Sequence, residues 1–364
     1  MKILLIGEFS SFHKYLKKGL ERNGHKVTLI ANQDGWKKID GADTFLFKSG
    51  GKNHLYHYYL EPFLRMKKFK GYDVVQFMNP LLFSLVNNEL IIKRLCKENK
   101  IASLVAAGYD YRLYSAWKND VFDYYMIENS KDALLPFDEH TSRGKRRKKN
   151  DLSIENNVDV IIPSLYEYSV GYPKTAKLNP VIPFAIDLDS IEYKENIVKD
   201  KIVFFHGLNR EIEKGTDLIR LALEKLKENY PDTVDFYMEG HMPFKEYMDV
   251  MDKTNVVIDQ CKSYGYGINA CVAMAKGKVV MSGARKETLD AFGVKETPIF
   301  HIEPDVDKIY CQLEKIVKQK NNIKNLGYES RKYVEQLHDC KKVAKQYEIA
   351  WRKAAQRKGI DLDE

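Results

Sequence analysis

Short, nearly continuous apolar runs alternate along this chain with longer stretches whose apolar positions recur at helical spacing. Runs of that kind predict strands buried on both faces, and the alternation predicts a parallel sheet covered by helices. In the first half the strands fall at Lys2–Ile6, Lys26–Ile30, Asp73–Phe77, Ala102–Ala107 and Val158–Ile162. Phe12, Leu16 and Leu20 mark a helix that Gly24 closes, and a second helix is expected over Leu81–Glu98. The pattern restarts near residue 201, with strands at Lys201–His206, Val234–Glu239, Asn255–Asp259 and Val279–Ser282. Helices are expected between them over Gly215–Asn229, Phe244–Lys253 and Asn269–Lys276, and again from Lys324 onward. The predicted fold class is α/β, with two Rossmann-like, doubly wound parallel-sheet domains facing a cleft. Their expected limits are residues 1–185 and 186–340, joined through the proline-punctuated stretch Pro173–Asp189. A last helix over 341–364 is expected to pack back on the first domain.

Length and composition narrow this picture. A chain of 364 residues has room for two domains, and 44% hydrophobic with 30% charged residues is ordinary globular usage. No run of eighteen apolar residues predicts a transmembrane helix. The opening MKILLIGEF reads as a buried strand rather than a secretory signal, which needs a longer apolar core. The five cysteines (Cys96, Cys261, Cys271, Cys311 and Cys340) are odd in number and form no CxxC, which favours a reducing, cytoplasmic setting without a disulfide framework or zinc site. The net charge of +8 reads as solubility or as attraction to an anionic partner. One segment breaks the pattern: Arg143–Lys149, six basic residues in seven flanked by Asp138, Glu139 and Asp151, is expected to form a solvated, mobile loop. The functional alternative for that run is contact with anionic lipid or an anionic acceptor.

Two segments carry candidate chemistry, each following a strand and opening a helix. In Gly207-Leu208-Asn209-Arg210-Glu211-Ile212-Glu213-Lys214-Gly215, Gly207 allows close backbone approach, and Arg210 and Lys214 can reach a diphosphate. Cations before a helix oppose its dipole, so they serve a ligand better than the helix. In Asp259-Gln260-Cys261-Lys262-Ser263-Tyr264-Gly265-Tyr266-Gly267-Ile268-Asn269, the glycines before a helix are expected to leave backbone N–H groups for a phosphate. Glu239 and Asn209, at strand ends of the same domain, join the donor-binding candidates. The first domain offers Gly7–Ser11 and Asp110. Asp110 reads equally as a catalytic group or as a turn or cap residue. Glu167 and His206 are weaker candidates, and His13 reads as a surface residue. Walker, GxGxxG, GxSxG and HExxH motifs are all missing, which disfavours a P-loop NTPase, a usual NAD dehydrogenase, a serine hydrolase and a zincin. No metal site is expected.

These residues together resemble glycosyltransferase family 4 and its GT-B relatives over nearly the whole chain. GEFSSFHKYLKKGLERNGHKV resembles the opening glycine turn, helix and strand. FFHGLNREIEKGTDLI resembles the phosphate-binding loop, and SYGYGINACVAMAKGKVVMSG the glycine-turn block, the most specific match. The resemblance implies transfer of a sugar, with retention of configuration, from a nucleoside-diphosphate donor to a hydroxyl acceptor such as a cell-surface glycan or lipid-linked saccharide. It implies that Arg210 and Lys214 hold the diphosphate, that Gly265, Tyr266, Gly267, Ile268 and Asn269 contact diphosphate and sugar, and that no separate cofactor is required. The family's two glutamates are replaced by Tyr264 and Val272, with Asp259 or Gln260 as possible substitutes. An epimerase or hydrolase of the same fold, and a non-catalytic nucleotide-sugar-binding protein, remain alternatives. Nucleic acid is not an expected partner.

Overall fold

A computed structural model describes residues 1–31, 39–44, 66–79, 88–124, 137–240, 242 and 244–362. The chain divides into two compact units. One comprises Met1–Val121, Lys131–Ala185 and Cys340–Glu364; the other comprises Phe122–Ser130 and Ile186–Asp339.

The first unit is built on a parallel sheet of β1 (Lys2–Ile6), β2 (Lys26–Ile30), β3 (Val74–Met78), β4 (Ile101–Ala106) and β5 (Val160–Pro163), in the order β2-β1-β3-β4-β5. The inner strands are buried on both faces, which is why they read as unbroken apolar runs. Leu4, Ile6, Val75, Phe77, Ala102 and Leu104 form the centre of the core on one face. Helices α1 (Phe12–Arg22), α2 (Asn88–Glu98), α3 (Tyr111–Lys118), α4 (Ser142–Asn157) and α5 (Glu167–Val170) belong to this unit. The helix expected from Leu81 is described from Asn88; residues 81–87 lie outside the described residues.

The basic run Arg143–Lys149 is a correction. It is the first half of α4, not a loop. Thr141 caps the helix by accepting from the Gly144 N–H at 3.0 Å, and Gly144 lies so close to Asp138 that an added Cβ would stand 1.9 Å from the Asp138 carbonyl oxygen. Local charge repulsion predicts a loop, but the cap and one buried face (Gly144, Arg147, Asp151, Ile154) outweigh it.

The second unit repeats the architecture. Its strands are β6 (Ile202–Leu208), β7 (Val234–Gly240), β8 (Val256–Ile258), β9 (Val279–Ser282) and β10 (Phe300–His301), in the order β10-β9-β8-β6-β7. Helices α6 (Glu211–Lys214), α7 (Thr216–Asn229), α8 (Phe244–Asp252), α9 (Ile268–Ala275), α10 (Lys286–Phe292), α11 (Val306–Lys318) and α12 (Ile323–Leu337) accompany it. Read by chain order within each unit, both sheets run 2-1-3-4-5. Each therefore reverses direction beside its first strand, β1 against β3 and β6 against β8. In open parallel sheets, ligands bind outside the carboxyl ends of strands at such a reversal.

The last helix, α13 (Cys340–Arg357), returns to the first unit and packs along α1. The approach is close at Gly19, where an added Cβ would lie 2.0 Å from the Cys340 carbonyl oxygen. That neighbour is backbone and cannot swing away. Gly19→Ala is expected to destabilise the first unit by about 1–3 kcal/mol through overpacking. Urea unfolding followed by circular dichroism checks this; an unchanged midpoint contradicts the close packing.

Candidate functional site

The reversal point of the second sheet brings the two candidate segments together. Strand β6 delivers Gly207, then Asn209 and Arg210, at its carboxyl end. Arg210 is exposed and holds the left-handed backbone (φ 52°, ψ 55°), a conformation costing a non-glycine residue roughly 1–2 kcal/mol. Strain of that kind gathers where a site needs it. The side-chain oxygen of Asn209 is buried without a hydrogen-bond partner. Lys214 stands between two helices, with only the cap Gly215 separating it from α7. It ends the one-turn helix α6, and its side chain is only 4% exposed.

Lys214 and Asp259 form the centre of the arrangement. Lys214 Nζ donates to Asp259 Oδ1 at 3.2 Å, and the Gly267 N–H donates to Asp259 Oδ2 at 3.1 Å. One carboxylate thus ties the loop after β6, the end of β8 and the cap of α9. Burial pushes the Asp259 carboxyl upward, but Lys214, the Gly267 N–H and the charge of Arg210 together hold it below the usual carboxylate range. The expectation that Gly267 keeps a free N–H is corrected, since Asp259 uses it. The donors left for an anion come from the first turn of α9, at Ile268, Asn269 and Ala270, whose N–H groups have no intrahelical acceptor.

His206 braces the same edge from below. Its Nδ1–H donates to the Ile258 carbonyl at 2.9 Å, and its Nε2 accepts from the Thr216 hydroxyl at 2.8 Å. Burial, with Lys214 nearby, lowers its pKa to about 4, so the ring stays neutral at pH 7. It is a buried tie between β6, β8 and α7.

Other candidates serve as supports. Gln260 is buried and donates from Nε2 to the Gly265 carbonyl at 3.2 Å, holding the glycine turn. Tyr266 is fully buried, its hydroxyl 2.9 Å from that of Tyr333 and 3.0 Å from His338 Nε2. Its side chain therefore anchors the turn from within, and only its backbone is left to face a ligand. Tyr264 is 3% exposed and lies under the segment Phe122–Tyr124. Its hydroxyl accepts from the Asp123 N–H at 2.8 Å, and the Arg285 guanidinium stands 4.1 Å from its ring centre. Arg285 in turn pairs with Asp123 at 2.7 Å and Glu287 at 3.2 Å. Where the resemblance places a sugar-contacting glutamate, this chain has an aromatic anchor for a strap. No local pattern announces that strap, because its partners are about 140 residues apart in sequence. Val272 is buried in α9 and packs as an apolar residue. Glu239 is exposed at the end of β7 and lines a hollow of about 580 Å³ with Leu208, Met238, Met242 and Glu246.

The first unit contains a second strained edge, beside β1 and β3. Gly7, Ser10, Ser11 and Asn79 all have positive φ, and Glu8 Oε2 accepts from the Lys14 N–H at 2.8 Å. His13 is a correction: it is 0% exposed rather than on the surface. Its Nδ1–H donates to the Gly7 carbonyl at 2.7 Å, its Nε2 accepts from Gln76 Nε2 at 3.1 Å, and Gln76 Oε1 accepts from the Ser103 hydroxyl at 3.0 Å. Its place on α1, next to Phe12, turns it inward under the loop, and burial lowers its pKa to about 4. For Asp110, the structure favours the cap reading. It is 2% exposed, Oδ1 accepts from the Leu113 N–H at 2.8 Å, and Oδ2 accepts from the Tyr172 hydroxyl at 2.7 Å. Burial raises its pKa, and that of nearby Asp151 to about 7 despite Arg147. Glu167 is fully buried in α5.

Among the described residues, no cluster of three His, Cys, Asp or Glu side chains could hold a metal ion, and no helix is long and apolar enough to cross a membrane.

No protein-family model matches the chain, and no curated protein matches its sequence. Solved structures do. Sucrose-phosphate synthase from Thermosynechococcus elongatus superposes with a TM-score of 0.66 at 16% identity, covering 98% of this chain and 100% of that one. Anabaena HepE in complex with UDP and glucose gives 0.58 at 10% identity, covering 95% and 97%. A Listeria monocytogenes protein assigned as a UDP-N-acetylglucosamine 2-epimerase gives 0.54 at 11%, covering 99% and 97%. At these identities the likeness establishes the fold: two Rossmann-like parallel-sheet domains of GT-B type.

Removing one partner of a buried ion pair leaves the other charge unpaired, at a cost of about 3–5 kcal/mol. Asp259→Ala is therefore expected to destabilise the second unit by that amount, and adding Lys214→Met is expected to recover part of the loss. A double-mutant cycle by chemical denaturation checks this; additive losses contradict a coupled pair.

Proposed function

We propose that this chain is a family 4-like, retaining glycosyltransferase that moves a sugar from a nucleoside-diphosphate donor to a hydroxyl acceptor, a growing cell-surface glycan or a lipid-linked saccharide, on the cytoplasmic side. The observation that carries the reading is the convergence of Arg210, the Lys214–Asp259 pair and the first turn of α9 at the reversal point of the second sheet. Negative charge grows on a diphosphate as the glycosidic bond breaks. Cations and N–H dipoles fixed in advance stabilise that charge without reorganising. Asp259 keeps the Lys214 ammonium at this edge, and strained Arg210 is exposed beside it. Gly207, Asn209, Gly265, Gly267, Ile268 and Asn269 line the path, while Gln260, Tyr264 and Tyr266 hold it in shape. The hollow beside Glu239 suits the nucleoside. Residues 186–340 are assigned to the donor and 1–185 to the acceptor. Support for a nucleotide sugar comes from the shared fold, since HepE was solved with UDP and glucose.

A second reading is an epimerase or hydrolase acting on the same donor, favoured by the Listeria neighbour. A third is a binding protein without turnover, favoured by Tyr264 and Val272 in place of the family's glutamates.

Thermal shift against UDP-, GDP-, ADP-, dTDP- and CMP-sugars tests the reading, because a ligand of the native state raises the melting temperature by mass action. One nucleotide series is expected to raise the melting temperature, and Arg210→Ala to abolish that shift and cut turnover by about 10²–10³-fold. Sugar release without an acceptor moves the assignment to the epimerase or hydrolase. No shift with any nucleotide contradicts the donor site.

A further inference from the structure

The basic half of α4 is not absorbed by the donor site. Its six cations divide into two sets. Arg147 is 9% exposed; it donates to Asp151 at 2.9 Å, to the Tyr109 carbonyl at 3.0 Å and to Asn79 Oδ1 at 3.2 Å, and lies over Phe137. Lys148 pairs with Glu139 at 2.9 Å and covers the Tyr111 ring. These two fasten the helix to its unit. Arg143, Lys145, Arg146 and Lys149 face solvent. Among the described residues only Lys149 of these four has an ion pair, to Glu89 at 3.6 Å.

The exposed set is placed against the helix's own interest. Three of the four lie within the first turn and a half of α4, beside the positive end of its dipole, and no acidic residue stands in that turn to compensate. Stability alone favours Asp or Glu there. The contact between Lys149 and Glu89 also sets this face beside α2, where Leu90 is 61% exposed and Lys97 is exposed, while Lys93 and Arg94 pair with Glu89 at 2.7 Å and Glu98 at 2.8 Å. A cationic helix face with an exposed aliphatic side chain at its margin has the chemistry of an interfacial membrane contact. Single-stranded nucleic acid is instead held by cations with open aromatic platforms. Here the neighbouring rings, Phe137 and Tyr111, lie beneath Arg147 and Lys148.

We propose that Arg143, Lys145, Arg146 and Lys149 form a docking face for an anionic lipid surface, with Leu90 entering the headgroup boundary. The inference goes beyond the transferase reading and does not depend on it: a chain that binds no nucleotide can still dock.

Co-sedimentation with phosphatidylcholine vesicles containing about a third phosphatidylglycerol tests it, since anionic headgroups supply the attraction. The wild type is expected to be captured, to be released by about 0.5 M salt, and to ignore pure phosphatidylcholine. The variant R143Q/K145Q/R146Q/K149Q is expected to lose affinity at least about a hundredfold, at about fivefold per cation. Its melting temperature is expected to hold or rise, because the dipole conflict is relieved. A control with the same charge change in the second unit, K225Q/K286Q/K308Q/K318Q, is expected to bind like the wild type. No capture of the wild type, unchanged capture of the α4 variant, or an equal loss in the control overturns the proposal. Release from the vesicles by a duplex oligonucleotide at equal salt assigns the face to nucleic acid instead.

Discussion

The second unit depends on a single buried ion pair. Lys214 belongs to the loop after β6 and Asp259 to the end of β8, and both side chains are 4% exposed. Desolvating two charges is costly, and the pair is tolerated because the two groups face each other at 3.2 Å and Asp259 also accepts the Gly267 N–H. The result is mechanical as well as electrostatic. Two loops from strands that lie side by side are held in one register, and the start of α9 is fixed relative to both. Gln260, His206 and Tyr266 extend this bracing to the glycine turn, to α7 and to the end of α12.

The first unit reaches a comparable result with neutral groups. The chain from the Gly7 carbonyl through His13 and Gln76 to Ser103 ties the strained turn after β1 to β3 and β4 without burying a charge. Further along the same sheet, Asp110, Asp151, Tyr172 and Arg147 share a buried network in which carboxylates are costly to ionise. Each unit thus uses polar side chains at its sheet reversal to hold backbone in conformations that side chains otherwise disfavour.

Much of the architecture was legible in the sequence because buried parallel strands leave an unmistakable trace. KILLI, VVQF, KIVFF and VVMS have too few polar positions for any element with an exposed face. The two loops bearing Arg210, Lys214 and Gly265–Asn269 were legible for a related reason: each follows such a strand and opens a helix. What stayed hidden depends on partners distant in sequence. Local spacing places His13 on the surface, because nothing nearby in sequence shows that Gln76 and the Gly7 carbonyl await its ring. The run 143–149 predicts a loop because charge repulsion is local, whereas the burial of Arg147 against Asn79 and Tyr109 is not. The roles of Tyr264 and Tyr266 were obscured in the same way, since their contacts lie at Asp123, Arg285, Tyr333 and His338.

The central claim is that the edge formed by Arg210, Lys214, Asp259 and the first turn of α9 receives a diphosphate. The most direct test is a crystal structure of the full chain with a nucleoside diphosphate. The account predicts phosphate oxygens within hydrogen-bond reach of Lys214 Nζ and of the N–H groups at 268–270, with the Arg210 guanidinium turned onto the same group. A nucleotide whose phosphates bind away from this edge, with the Lys214–Asp259 pair undisturbed, contradicts it.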